Sequence, residues 1–228
     1  MIKHLPTLAI LAVAAGIFTA APAAHADSLY GPLTVSVWTG SGVTDTASLP
    51  TPMGPATYTF DYTGPLDFVN NNCQSCSNTF AEFFGTYASG ISNLNPNTTS
   101  LSQFLGTIMS TSGFKDNTYM SFTGTYTGGG AVTVSHDDGA SLYTGMGYTN
   151  TVLSSANPTS QIPTSGTLPM GTNVPFDLVY VEANGAPADL VVTGLSPVPE
   201  PGSLLLLGTG LVGFAGMARR KFLAKMGS

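Results

Sequence analysis

Between residues 33 and 193, apolar and polar side chains alternate with a period of two, and this alternation constrains the chain to β-structure more than any other feature. Leu33-Thr-Val-Ser-Val-Trp38, Tyr58-Thr-Phe-Asp-Tyr62, Phe122-Thr-Gly-Thr-Tyr126 and Ala131-Val-Thr-Val-Ser135 each send every second residue to one face, the pattern of a half-buried strand. Two later strands, Phe176 to Glu182 and Asp189 to Thr193, flank Asn184-Gly185, which predicts a hairpin. Residues 78–87 carry Phe80, Phe83, Phe84 and Tyr87 at a spacing that suits a short amphipathic helix or aromatic core strands, and residues 101–109 are open to the same two readings. Residues 95–100 and 154–166 read as exposed loops. Strands at regular spacing with turn residues between them, few helix formers and no fixed-period repeat predict an all-β fold, an antiparallel β-sandwich, and disfavour a solenoid or propeller.

The two ends of the chain do not follow this pattern. Met1 to Lys3 is a short basic start, Leu5 to Ala21 is an apolar run, and Ala24-His25-Ala26 has the small-x-small spacing that signal peptidase accepts. Residues 1–26 are therefore expected to be a signal peptide cut after Ala26. At the other end, Pro199-Glu200-Pro201 precedes the apolar stretch Ser203 to Ala218, which is followed by Arg219-Arg220-Lys221. The stretch is slightly shorter than the roughly 20 residues of a comfortable spanning helix, yet it can insert if its flanking side chains snorkel, with the basic trio at the cytoplasmic end. A buried core helix would need a polar face, and Leu204 to Met217 offers only Thr209.

These C-terminal residues resemble the PEP-CTERM sorting signal, which joins Pro-Glu-Pro, a short transmembrane helix and an Arg-rich end. The resemblance implies that residues 198–222 are recognised and cut by an exosortase. It further implies that the protein is held in the inner membrane by its C-terminal helix before processing, and is then delivered to the cell surface or to an extracellular matrix of exopolysaccharide or biofilm.

Removing both signals leaves residues 27–197, long enough for one domain with a real core. Within them Lys115 is the only Lys or Arg against eleven acids, a formal balance of minus ten. Such a surface repels phosphate backbones, which argues against nucleic acid and leaves cations as the charged partners. In an exported, oxidising setting Cys73 and Cys76 of Asn-Cys-Gln-Ser-Cys-Ser are expected to form a local disulfide. No helix-opening context supports a redox site, and two sulfurs with no second Cys or His pair make a poor zinc site.

The segment with the most chemical content is Ala131-Val-Thr-Val-Ser-His-Asp-Asp-Gly-Ala-Ser-Leu-Tyr143. A strand ends in two adjacent carboxylates, Gly139 permits a sharp turn, and a second strand leaves. Neighbouring Asp side chains at a turn supply oxygen ligands for a hard cation such as calcium, and the ion relieves their repulsion. A plain Asp-Gly hairpin with solvated carboxylates fits the same residues. This segment resembles the PA14-like sandwich, in which a strand ends in Asp-Asp-Gly before a Leu-Tyr pair, and residues 178–192 look like that family's closing strands. The resemblance implies calcium held by Asp137 and Asp138, with Asn184 as third ligand and sugar hydroxyls in the open positions. His136 before the pair departs from the family pattern, as does the lack of landmarks in the N-terminal half.

Catalysis has less support. His136 is the only histidine left after the signal peptide is removed, and neighbours along a strand point to opposite faces, so His136 and Asp137 do not make a catalytic pair. Two carboxylates among Asp177, Glu182 and the Asp pair would suit a glycosidase only at the right separation. Trp38, Tyr143 and Tyr148 are open to a sugar-stacking role, but core or half-buried strand positions account for them more simply, and Trp38 is expected in the core. The sequence thus predicts a non-enzymatic surface protein with a calcium-dependent glycan site, with a ligand-free matrix protein and a carbohydrate-active hydrolase as the alternatives.

Overall fold

The computed structural model describes residues 32–49, 54–70 and 78–194. The signal peptide, the Cys73–Cys76 pair and the C-terminal signal fall outside these residues. In chain order the elements are β1 (Leu33–Gly40), β2 (Tyr58–Tyr62), β3 (Asp67–Val69), α1 (Phe80–Phe84), a 3₁₀ segment (Gly85–Gly90), β4 (Ile91–Asn95), α2 (Leu101–Leu105), β5 (Asn117–Asp137), β6 (Gly139–Thr144), a 3₁₀ turn (Met146–Tyr148), β7 (Asn150–Ser155), β8 (Ile162–Glu182) and β9 (Asp189–Thr193).

All strand pairings are antiparallel, and one hydrogen-bonded path runs β4-β2-β1-β5-β8-β6-β7, with β9 pairing both β5 and β3. The two segments expected as separate strands, 122–126 and 131–135, are both part of β5, a single strand of 21 residues. That strand doubles back on itself. Phe68 pairs with Leu190 and Leu190 with His136, yet the Phe68 ring lies 6.2 Å from the ring of Phe122. A straight strand would carry His136 about 46 Å from Phe122 at ~3.3 Å per residue. The bend falls at the bulges around Gly128 and Gly130, whose φ of 106° and 131° suit a residue without a Cβ. One layer then holds β4, β2, β1, the first half of β5, the second half of β8, β6 and β7. The other holds β3, β9, the second half of β5 and the first half of β8.

One core fills the space between the layers: Val35 and Val37 from β1, Phe60 and Tyr62 from β2, Phe122 and Val134 from the two halves of β5, Leu178 and Tyr180 from β8, and Leu190 from β9. Residues 78–109 seal its end. Thr79 and Ser100 each begin a helix through a capping box, reciprocated by Glu82 and Gln103, so both ambiguous stretches resolve as helix. α1 turns Phe80, Phe83 and Phe84 inward, and Phe83 stacks on Tyr180 with ring centroids 5.4 Å apart.

Three expectations need correction. β8 and β9 do not form a hairpin about Asn184-Gly185, because β9 pairs with β5 and β3 in the opposite layer and the connection crosses the sandwich. Residues 154–166 are not one exposed loop: β7 runs to Ser155 and β8 starts at Ile162. Pro163 stands inside β8, paired with Ser135 of β5, where β8 is the outer strand of its layer, and an edge tolerates a missing N–H. Trp38 is half-buried rather than core. It packs edge-to-face on Tyr119 at 5.6 Å on the outer side of the sheet and donates its indole N–H to Gly54 O at 2.8 Å.

Candidate functional site

β5 ends at Asp137 in the layer of β9, where Asp137 pairs with Asp189, and two residues later Gly139 pairs with Val181 of β8 in the other layer. The Asp137-Asp138 step is therefore the point at which the chain crosses from one layer to the other, and not the turn of a hairpin. Its peptide bond is cis. Gly139 serves this crossing through its lack of a side chain, since an added Cβ would lie 2.5 Å from the carbonyl oxygen of Ala156.

Packing behind the step holds it in place. His136 is fully buried; its Nδ1–H donates to Asp138 O at 2.6 Å, and Nε2 accepts from the Thr164 hydroxyl at 2.8 Å. Burial lowers its pKa, which suits this neutral tautomer. The Tyr180 hydroxyl donates to Asp137 O and also lies 3.1 Å from Glu182 Oε2. A phenol has a single proton, so both contacts are satisfied when Glu182 retains its own. Burial, and then the charge of Asp138, raise the Glu182 pKa well above the usual range. Ser110 Oγ and Asn78 Nδ2 donate to Glu182 Oε1 at 2.8 and 3.1 Å.

The carboxylates of Asp137, Asp138 and Glu182 each offer an oxygen within 4.8 Å of the others, and all three residues are buried. Burial, with the charges of Asp138 and Asp189, pushes the Asp137 pKa up to about 7. Asp138 is also raised by burial, against backbone N–H groups of Ala183 and Asn184, and Ala183 N–H donates to its Oδ2 at 2.8 Å. The set contains oxygen donors only, with unfavourable mutual charge, and it borders an open depression of about 320 Å³ lined by Phe114, Asp137, Asp138, Pro158 and Asn184 among others. Oxygen-only donors at this separation fit a hard cation of the calcium type.

Residues 197–221 match the PEP-CTERM protein-sorting motif. The match includes Pro199, Glu200, Pro201, Arg219, Arg220 and Lys221 and marks the chain as exported and surface-sorted. No curated protein matches. Among solved structures, the chain is similar to a PA14 sugar-binding domain from an RTX adhesin, at 16% identity over 72% of this chain and 89% of that one, with a TM-score of 0.48. It is similar to the PA14 domain of the MpAFP antifreeze protein at 18% identity, over 73% and 81%, with a TM-score of 0.47. A third likeness, to a GH31 α-xylosidase from Xanthomonas citri, covers 14% of that enzyme at 10% identity with a TM-score of 0.38. Among the described residues no helix is long and apolar enough to cross a membrane.

Of the three residues expected at the metal, Asp137 and Asp138 come together. Asn184 is exposed on the rim of the same depression, and its Oδ1 accepts from Gly113 N–H at 3.0 Å. Sequence reasoning missed Glu182 as the third carboxylate of the cluster, although a signal was present. Phe176, Leu178 and Tyr180 turn one face of β8 to the core, and Glu182 is the next residue in that series. It also missed Phe114, which stands in a loop without periodicity. Asp177 is separate from this cluster, hydrogen-bonded to Ser121 Oγ at 2.8 Å.

Proposed function

We propose that this protein is a non-enzymatic surface module that binds glycans through calcium held by Asp137 and Asp138, with Asn184 as a third ligand. The observation that carries this reading is the convergence of buried carboxylate oxygens beside an open depression. The only Lys or Arg between residues 27 and 197, Lys115, is exposed, so a bound cation is the natural counter-charge for the cluster. When bound, calcium would neutralise the carboxylates and accept further oxygen ligands from sugar hydroxyls. His136 and Tyr180 fix the two carbonyls of the Asp137-Asp138 step, and the Glu182 carboxyl lies 3.1 Å from the Tyr180 hydroxyl.

A hydrolase fits this geometry poorly. Glycosidase carboxylates flank a sugar at about 5–5.5 Å or 6.5–9.5 Å, whereas these oxygens lie within 4.8 Å of one another. Both ring nitrogens of His136 are committed to structural bonds. The delivery route in this reading is signal-peptide removal after Ala26, tethering by the C-terminal helix, cleavage by an exosortase, and release to the cell surface or a polysaccharide matrix such as a biofilm. Cys73 and Cys76 are assigned a local disulfide on their spacing and the exported setting.

The test is thermal. Calcium at about 100 times its dissociation constant stabilises the folded protein by roughly 2.7 kcal/mol and raises the melting temperature. Asp138→Ala is expected to abolish the rise. Absence of any rise in the unsubstituted protein would replace this reading with a matrix protein that has no defined ligand.

A further inference from the structure

The two most exposed large apolar side chains among the described residues are Met146 and Met170, at 88% and 80%. Both belong to the same end of the sandwich. Met170 lies at the bend of β8, where Gly171 pairs with Gly128 and Leu168 with Gly130. Met146 lies in the turn after β6, whose Thr144 pairs with Phe176, and Gly145 N–H donates to Pro175 O at 3.0 Å. The chain leaves the domain at this end as well. β9 starts beside Asp137 and runs to Thr193, which pairs with Thr133, and Gly194 packs against the carbonyl of Ala131 next to the bend of β5. Residues 195–202 then join Gly194 to the apolar stretch that starts at Ser203, and a segment of that length spans at most about 30 Å. Charge divides the molecule along the same axis. The segments that form this end, residues 63–65, 88–91, 124–132, 144–149, 166–176 and 193–194, contain no Asp, Glu, Lys, Arg or His. Asp116, Asp137, Asp138, Glu182 and Asp189 stand at the opposite end. From Val174 to Glu182, β8 rises about 26 Å at ~3.3 Å per residue.

We propose that this uncharged end is a membrane-contacting foot: in the tethered precursor it rests on the lipid interface, with Met146 and Met170 among the headgroups and upper acyl chains. This rests on the C-terminal tether of the delivery route above and adds how the domain stands on it. A short tether keeps the end that bears Gly194 next to the bilayer. Carboxylates are costly in a bilayer and are repelled by anionic headgroups, whereas Met, Thr, Tyr and Gly bring no charge to it. Salt screens such repulsion over about 8 Å, so acids about 26 Å away scarcely feel the lipid charge. A domain with a formal balance of minus ten therefore approaches an anionic surface most favourably by this end. The same posture turns Asp137 and Asp138 away from the bilayer.

The experiment reconstitutes the full chain into vesicles of phosphatidylethanolamine and phosphatidylglycerol with plain or brominated acyl chains, since bromine quenches a tryptophan that touches it. Trp38 is the only tryptophan of the chain and packs on Tyr119, whose partner in β8 is Val181, so it reports from the opposite end as an internal control. Met146→Trp and Met170→Trp each add one tryptophan at the foot. The added emission, taken against wild type, is expected to fall about twofold in brominated lipid, with Trp38 emission unchanged. Combining Met146→Asp with Met170→Trp should remove the quenching, because a carboxylate is expelled from the interface. Both methionines are exposed, so each variant should melt with wild type. Absence of quenching in vesicles that hold the full chain would overturn the foot and leave the tether standing. Emission that moves to shorter wavelength as protein density rises, without quenching, would overturn the lipid assignment and give this end to a second copy of the chain. If the full chain does not float with the vesicles, tether and foot fall together.

Discussion

Asp177 shows how one buried acid makes stability depend on pH. It is 4% exposed on the outer side of β8, and burial raises its pKa from 3.8 to about 6 against the opposing hydrogen bond from Ser121. Its folded pKa therefore exceeds its unfolded one, so the folded state binds the proton more tightly. The resulting stability is fully present below about pH 4 and declines as the pH rises, and the loss is complete above about pH 6. Two units correspond to about 3 kcal/mol. Asp177→Asn is expected to match wild type near pH 4 and to melt higher at pH 7 and above, as measured by thermal scans across that range. His136 has the opposite character among polar residues. Both nitrogens are satisfied and the ring is kept neutral, so it acts by positioning the Asp138 carbonyl.

At the scale of the element, the crossing from β5 to β6 matters most. A hairpin at Asp-Asp-Gly would have left the carboxylates in solvent on a sheet edge, whereas the crossing buries them, with Ala183 N–H donating to Asp138 Oδ2 and a Glu182 oxygen within 4.8 Å. Gly139→Ala would force its Cβ against the Ala156 carbonyl, a backbone atom that cannot rotate away. A loss of about 1–3 kcal/mol is expected, as for other overpacked sites, measured by urea unfolding and accompanied by weaker calcium stabilisation. The helices were decided by local chemistry that the aromatic spacing alone did not separate. Thr79-x-x-Glu82 and Ser100-x-x-Gln103 satisfy first-turn N–H groups that a strand would not present in that form. The strand pairs followed from alternation, but the merger of 122–126 with 131–135 did not, because three glycines in a row read as a break when they are the bend inside one strand.

For the whole molecule, charge sets the behaviour in solution. With one lysine against eleven acids across residues 27–197, the folded domain repels itself, and salt should relieve that repulsion. In chelator at neutral pH, raising sodium chloride from about 20 to 300 mM should increase the melting temperature, and calcium should act at concentrations too low to screen. The sequence by itself determined the β class, the acidic surface, the sorting motif at the C-terminus and the Asp137-Asp138 pair, because periodicity, composition and short motifs are local properties of the chain. Tertiary structure alone decided that β5 and β8 fold over to form both layers, that β9 returns to the far layer, and that Glu182 and Phe114 stand beside the aspartates. Those outcomes depend on contacts between residues far apart in the chain, where the burial of one common core selects the pairing and no neighbouring residue carries the information.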